Sequence, residues 1–127
     1  MEKVTLLVGR ILLAHIFLLS GITKISAYAG TQGYMESVGV PGALLPLVIL
    51  TEIGGALALI TGWQTRWAAV ALAGFSVVAA LLFHTNFADQ MQMIMFMKNW
   101  AMAGGLLVLA VAGAGELSLD HKFTRRF

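Results

Sequence analysis

The stretch VTLLVGRILLAHIFLLSGITKI, residues 4–25, decides the fold. Its ionisable side chains are Arg10, His15 and Lys24, and it exceeds the roughly 20 apolar residues that a helix needs to cross a bilayer core about 30 Å thick. Three further runs of this kind follow, over residues 41–61, 66–84 and 93–112, with Pro41 placed to open the first of them. Between them lie a loop over residues 26–40, a tight turn at 62–65 and a polar link at 86–92. Met1 to Lys3 ahead of an apolar run, with Ala27-Tyr28-Ala29 behind it, also has the outline of a secretion signal. The run is longer than a signal core and carries Arg10 and His15, so a span is the expectation.

Composition agrees. Of 127 residues 59% are hydrophobic and 11% charged, with mean hydropathy +0.87, whereas a soluble domain has roughly 45–50% apolar and about 25% charged residues. A water-soluble globule is thereby excluded. The chain has no cysteine, which removes thiolate nucleophiles, disulfide relays and cysteine-ligated iron–sulfur clusters. A net charge of +2 on so apolar a chain gives nucleic acid nothing to hold.

The expected fold is all-α: a single polytopic membrane domain over residues 1–127, folded as an antiparallel bundle of four transmembrane helices with a tail at 113–127. Lys3, Arg66, Lys122, Arg125 and Arg126 fall on one side of such a bundle, and only Lys24 and Lys98 lie toward the other. The excess of basic residues predicts cytoplasmic N- and C-termini, with the 26–40 loop and the 86–92 link facing the periplasm. Gly54-Gly55-Ala56, then Ala69, Ala73 and Ala80, then Ala101, Gly104 and Gly105 are the small residues that let helices approach closely in lipid. The alanine-lined third span is also a candidate face for a homodimer.

Ionisable groups within a bilayer are costly, and each is therefore a candidate for function. Counting about 1.5 Å per residue from the cytoplasmic ends puts Arg10 at about 9 Å, His15 at about 16 Å and Glu52 at about 14 Å. These three are expected to meet. A carboxylate such as Glu52 in hydrocarbon is either protonated or held by a cation. Glu52 and His15 could exchange a proton while Arg10 fixes the charge; equally, the group could be a buried ion pair that sets helix register without chemistry. An outer group contains Lys24, His84, Lys98 and Asn99, with Asn86, Asp89, Tyr28 and Tyr34 near it. Lys24 and Lys98 could hold a small anion, or could extend their stems outward to the headgroups.

The same count tests metals and haem. His15 and His84 differ by about 11 Å in depth, so they cannot ligate one haem iron from opposite faces. Met91, Met93, Met95 and Met97 alternate with other residues, which on a helix splits their sulfurs between two faces. Apolar packing suits that pattern better than a copper(I) site.

These residues resemble the DoxX family of small bacterial inner-membrane proteins, in particular its DoxX/YphA-type branch. The likeness runs over nearly the whole chain. It includes Gly21-Ile22-Thr23-Lys24, then Tyr34-Met35-Glu36-Ser37-Val38-Gly39-Val40-Pro41, Glu52-Ile53-Gly54-Gly55 and Gly62-Trp63-Gln64-Thr65-Arg66. It continues through His84, Phe96-Met97-Lys98-Asn99 and the tail Gly113-Ala114-Gly115-Glu116-Leu117-Ser118-Leu119-Asp120. The tail departs from the pattern with Ala114 where a proline is common and with His121-Lys122 where one basic residue is expected.

The resemblance implies a four-span bundle and a link to membrane redox chemistry, since related proteins are described as subunits of a thiosulfate:quinone oxidoreductase or as partners of oxidative-stress enzymes. Others act as non-catalytic assembly factors or accompany copper-related peptide pathways. The leading expectation is accordingly an accessory subunit of a quinone-linked membrane oxidoreductase. Its cofactor would be a quinone, without haem or iron–sulfur cluster, and it would have a membrane or periplasmic redox partner. The alternative is a membrane assembly or scaffold protein, with passage of a small ion or molecule ranked below both.

Overall fold

The computed structural model describes residues 2–123, so Arg125 and Arg126 lie outside the described residues. Helix α1 covers Glu2–Ser26, α2 Tyr28–Ser37, α3 Leu45–Thr61, α4 Thr65–Phe83, α5 Gln90–Ala112 and α6 Leu119–Phe123. A 3₁₀ turn, Gly42–Leu44, leads into α3. Four of these segments, Glu2–Ser26, Gly42–Thr61, Thr65–Phe83 and Gln90–Ala112, are long and apolar enough to cross a membrane. Among the described residues there is no strand.

The bundle is built from two helix pairs. α1 lies along α3 and α4 along α5, and α3 against α4 joins the pairs, with α1 touching α5 only lightly. Small residues set the spacing, as expected where lipid removes any hydrophobic drive between helices. A Cβ on Gly21 would stand 2.5 Å from Ile53 Cγ1, and one on Gly55 would stand 2.8 Å from Leu72 Cγ. Ala14, Phe17, Ala56, Leu59, Ala69, Leu72, Ala73 and Leu106 fill the centre. Ala69, Ala73 and Ala80 are buried within the protomer, so these three alanines serve internal packing, while Ala71 and Gly74 of the same helix are exposed.

Two boundaries differ from expectation, each for a local reason. α5 starts at Gln90 instead of Met93, because Asp89 caps it: its carboxylate accepts from Met91 N at 3.0 Å. The 26–40 loop contains α2, which no apolar stripe announces. It is held from outside, through buried Met35, through Gln32 Nε2 donating to Gly42 O at 3.1 Å and through Tyr34, whose hydroxyl donates to Phe83 O at 3.2 Å.

The tail closes the end of the bundle that carries the termini. Gly62, at φ 74°, ends α3, and Gln64, at φ 50°, leads into α4. Neither Gln64 N nor Thr65 N has a partner within α4, and both donate to the Asp120 carboxylate, at 2.6 and 2.9 Å. Asp120 N returns a bond to Gly62 O at 2.8 Å. A residue more than fifty positions away thus caps α4.

Candidate functional site

Sorting polar side chains by depth along a span predicts that Arg10, His15 and Glu52 converge. The structure separates them. Arg10 is buried at the terminal end, where Nη1 donates to Leu59 O at 3.0 Å and Nη2 to Leu117 O. His15 is exposed on the outer face of α1, with Nδ1 donating to Leu12 O at 2.5 Å. Glu52 is buried, and its partner is Lys24, with Nζ and Oε1 2.8 Å apart.

Register and phase explain the correction. The depth count takes α1 and α3 to end level with each other. In fact Gly62, at the end of α3, packs on Arg10, while Gly21 packs on Glu52 and Ile53. The first turns of α1, residues 2–9, therefore project beyond α3, by roughly 12 Å at 1.5 Å per residue. The tail covers that overhang: a Cβ on Gly115 would lie 2.9 Å from Leu6 Cδ1, and Lys3 faces Glu116 at 4.0 Å. Phase excludes His15, because the buried stripe of α1 is Arg10, Ala14, Phe17 and Gly21, and residue 15 falls about 100° away from residue 14.

Glu52 instead joins the outer group around one cavity of about 320 Å³. Its polar lining includes Lys24, Glu52, His84, Lys98 and Asn99, and its apolar walls include Phe17, Phe75, Phe83, Met95 and Met102. Lys24 sits at the last turn of α1 and its stem turns inward, so that Nζ also donates to Ser20 Oγ at 2.7 Å. Two partners for three ammonium protons leave one for a guest. His84 ends α4, and its Nδ1 donates to Gln92 Oε1 at 3.0 Å, which leaves Nε2 with a lone pair. Asn99 donates to Met95 O at 2.9 Å and keeps its carbonyl oxygen as an acceptor. Lys98, on the exposed side of α5, has no hydrogen-bond or ion-pair partner among the described residues.

Tyr34, expected near the outer group, lines the cavity and stacks on Phe83 with ring centroids 5.6 Å apart, and so hangs α2 across its outer end. Of the methionines, Met95 and Met102 face the cavity while Met91, Met93 and Met97 are exposed, and among the described residues no cluster of His, Asp and Glu is placed to hold a metal.

Gly21 is what allows Lys24 and Glu52 to meet. Gly21→Val is expected to force α1 away from α3 and to cost about 1–3 kcal/mol, read as a lower unfolding midpoint in detergent. Ser20→Ala, which leaves the helix contact intact, should shift that midpoint far less.

Comparison with known proteins places the chain. It matches the DoxX family over residues 5–85. It is 49% identical to Inner membrane protein YqjF of Escherichia coli (strain K12) over 127 residues, covering 100% of this chain and 98% of that protein. To Inner membrane protein YphA of the same organism it is 35% identical over 128 residues, 95% of this chain and 91% of the relative. No solved structure matches it. With four apolar helices of spanning length and relatives aligned from end to end, this chain is a multi-pass inner-membrane protein and belongs to the DoxX family.

Proposed function

We propose that the cavity beside the Lys24–Glu52 pair binds the ring of a quinone and that the chain serves as an accessory subunit of a quinone-linked membrane oxidoreductase. The observation that carries this reading is the combination, in one aromatic-walled cavity of about 320 Å³, of an ion pair with groups of both hydrogen-bonding senses. A ring carbonyl needs a donor, and Lys98 and the third proton of Lys24 are donors. The hydroxyl of the reduced ring needs an acceptor, and His84 Nε2 and Asn99 Oδ1 are acceptors. The phenylalanine and methionine walls match the rest of such a ring. A bound quinone would supply the electron-carrying chemistry that no side chain here can, and a membrane or periplasmic partner would complete the electron path.

Within this reading Glu52 is the proton-holding group, because a guest that competes for Lys24 weakens the pairing and favours uptake of a proton on the carboxylate. Basic residues concentrated at the terminal end orient the cavity toward the periplasm. In a comparison of quinone retained by detergent-purified protein, Glu52→Gln and Lys98→Met should lower occupancy at least threefold while Arg66→Gln, at the opposite end, leaves it unchanged. Equal occupancy in all four proteins, or none in any, removes the proposal.

A second reading, a membrane assembly or scaffold protein, is favoured by the Gly21 contact, which makes Lys24–Glu52 a register lock between α1 and α3. It expects Glu52→Gln to lower stability or partner co-purification without changing quinone retention. Passage of an ion ranks below both. Between the cavity and Arg10 the centre is filled by Ala14, Phe17, Ala56 and Leu59, which leaves no polar path.

A further inference from the structure

We propose that a second cavity, at the terminal end of the bundle, binds the headgroup of phosphatidylethanolamine, with the phosphate on Arg66 at the start of α4 and the ammonium on Glu116 of the tail. This cavity, of about 660 Å³, lies between the first turn of α4, the last turn of α5 and the tail, at the opposite end from Lys24. Its size falls within the roughly 300–1,000 Å³ of small-molecule sites. Trp67 forms part of its wall and is 76% exposed, at a span end, where indole rings sit among lipid headgroups.

One wall suits a phosphate. Arg66 has no hydrogen-bond or ion-pair partner among the described residues. Its guanidinium is nevertheless held in place, because it rests on Gly113: a Cβ there would stand 3.0 Å from Nη2 and 3.1 Å from Nε. Asp120 takes Gln64 N and Thr65 N but leaves Arg66 N and Trp67 N, the next amides of α4, without a partner among the described residues. Free amides at a helix N-terminus favour an anion. Thr65 is an independent sign. It lines the same cavity, is fully buried, and its Oγ1 has no hydrogen-bond partner. A hydroxyl left in that state is costly, and a phosphate oxygen seated at this wall supplies the acceptor.

The carboxylates of the same cavity decide between guests. Glu116 and Asp120 both line it, so an anion alone would meet two negative charges, and a cation alone would meet the guanidinium. A zwitterion satisfies both. Asp120 is engaged with α4, whereas the Glu116 side chain is 65% exposed and meets Lys3 only at 4.0 Å, which leaves Glu116 able to accept from an ammonium. A primary ammonium brings three N–H donors and a quaternary one brings none, which selects ethanolamine over choline. The acyl chains have apolar surface to follow, since Val70 of α4 and Val108 and Val111 of α5 are 48%, 70% and 81% exposed.

The test is lipid retention by the full chain, purified in detergent, titrated with one phospholipid at a time and read by native mass spectrometry. Phosphatidylethanolamine should bind about tenfold more tightly than phosphatidylcholine, which lacks the N–H donors, or phosphatidylglycerol, which lacks the ammonium. Arg66→Gln should weaken phosphatidylethanolamine binding about tenfold, and Arg66→Lys, which keeps the charge without the fork, by less. Glu116→Gln should erase the preference over phosphatidylcholine, while Glu36→Gln in α2, at the outer end, changes neither. Arg66 and Glu116 are exposed, so unchanged helicity by circular dichroism separates lost binding from lost folding. Equal retention of the three lipids, or binding by Arg66→Gln as tight as by the parent, would overturn the proposal. So would displacement of the lipid by an equal concentration of soluble O-phosphoethanolamine, which would make this a site for a free phosphate ester.

Discussion

Arg10→Met is expected to remove about 3–5 kcal/mol of stability, seen as a large drop in the unfolding midpoint in mixed detergent and as poor accumulation in the membrane. Leu59 O is among the last carbonyls of α3, which have no amide partner within the helix, and Arg10 Nη1 supplies one. Nη2 does the same for Leu117 O in the tail, and the Asp120 carboxylate lies within electrostatic reach. Methionine keeps the stem and loses both bonds, leaving the buried Leu59 carbonyl and the part-buried Leu117 carbonyl without this partner; each charge-assisted bond of this kind contributes about 1.5–3 kcal/mol. Arg10→Lys should recover less than half, because a single ammonium cannot reach two carbonyls as a planar fork does. A methionine variant as stable as the parent protein would show that the tail docks without help from Arg10.

The second large effect lies at Lys24 and Glu52. The two partners differ in exposure, with 26% of the Lys24 side chain accessible and 4% of Glu52. Removing one is therefore unlike removing the other. Lys24→Met leaves a buried carboxylate without a cation and should cost about 3 kcal/mol, whereas after Glu52→Leu the lysine can extend outward to the headgroups and the loss should be nearer 1–2 kcal/mol. The double variant should be more stable than Lys24→Met alone, giving a coupling of about 2–3 kcal/mol from the four unfolding free energies. Strict additivity would mean that the two groups do not sense each other. Both the quinone reading and the register reading expect the coupling. Quinone retention by Glu52→Gln then divides them.

Much of the architecture was legible in residues 4–25 and their three counterparts, since an apolar run of bilayer length admits few structures other than a membrane-spanning helix. The residues flanking the spans were partly legible. Asp89, a capping residue just before the fourth span, signals an earlier start for α5 than hydropathy alone suggests. Phase was legible too: Arg10, Ala14, Phe17 and Gly21 share a face that residue 15 does not, and applying it would have kept His15 apart from Arg10. Relative helix depth was not legible. The overhang of α1 depends on the tail filling the space beside Leu6, a contact between residues more than a hundred positions apart. α2 is equally silent, because its amphipathic signal is weak and it is positioned by Phe83 and Gly42, outside its own segment.

Asp120 and Leu117 have a consequence for the order of assembly. Both follow all four spanning helices in the chain, so in N-to-C synthesis they emerge after α1, α3, α4 and α5. Until then Gln64 N, Thr65 N and one arm of Arg10 wait without the partners they hold in the finished protein. Closure of that end of the bundle thus waits on the segment after α5, and a chain lacking that segment would carry an open end for quality-control proteases to recognise.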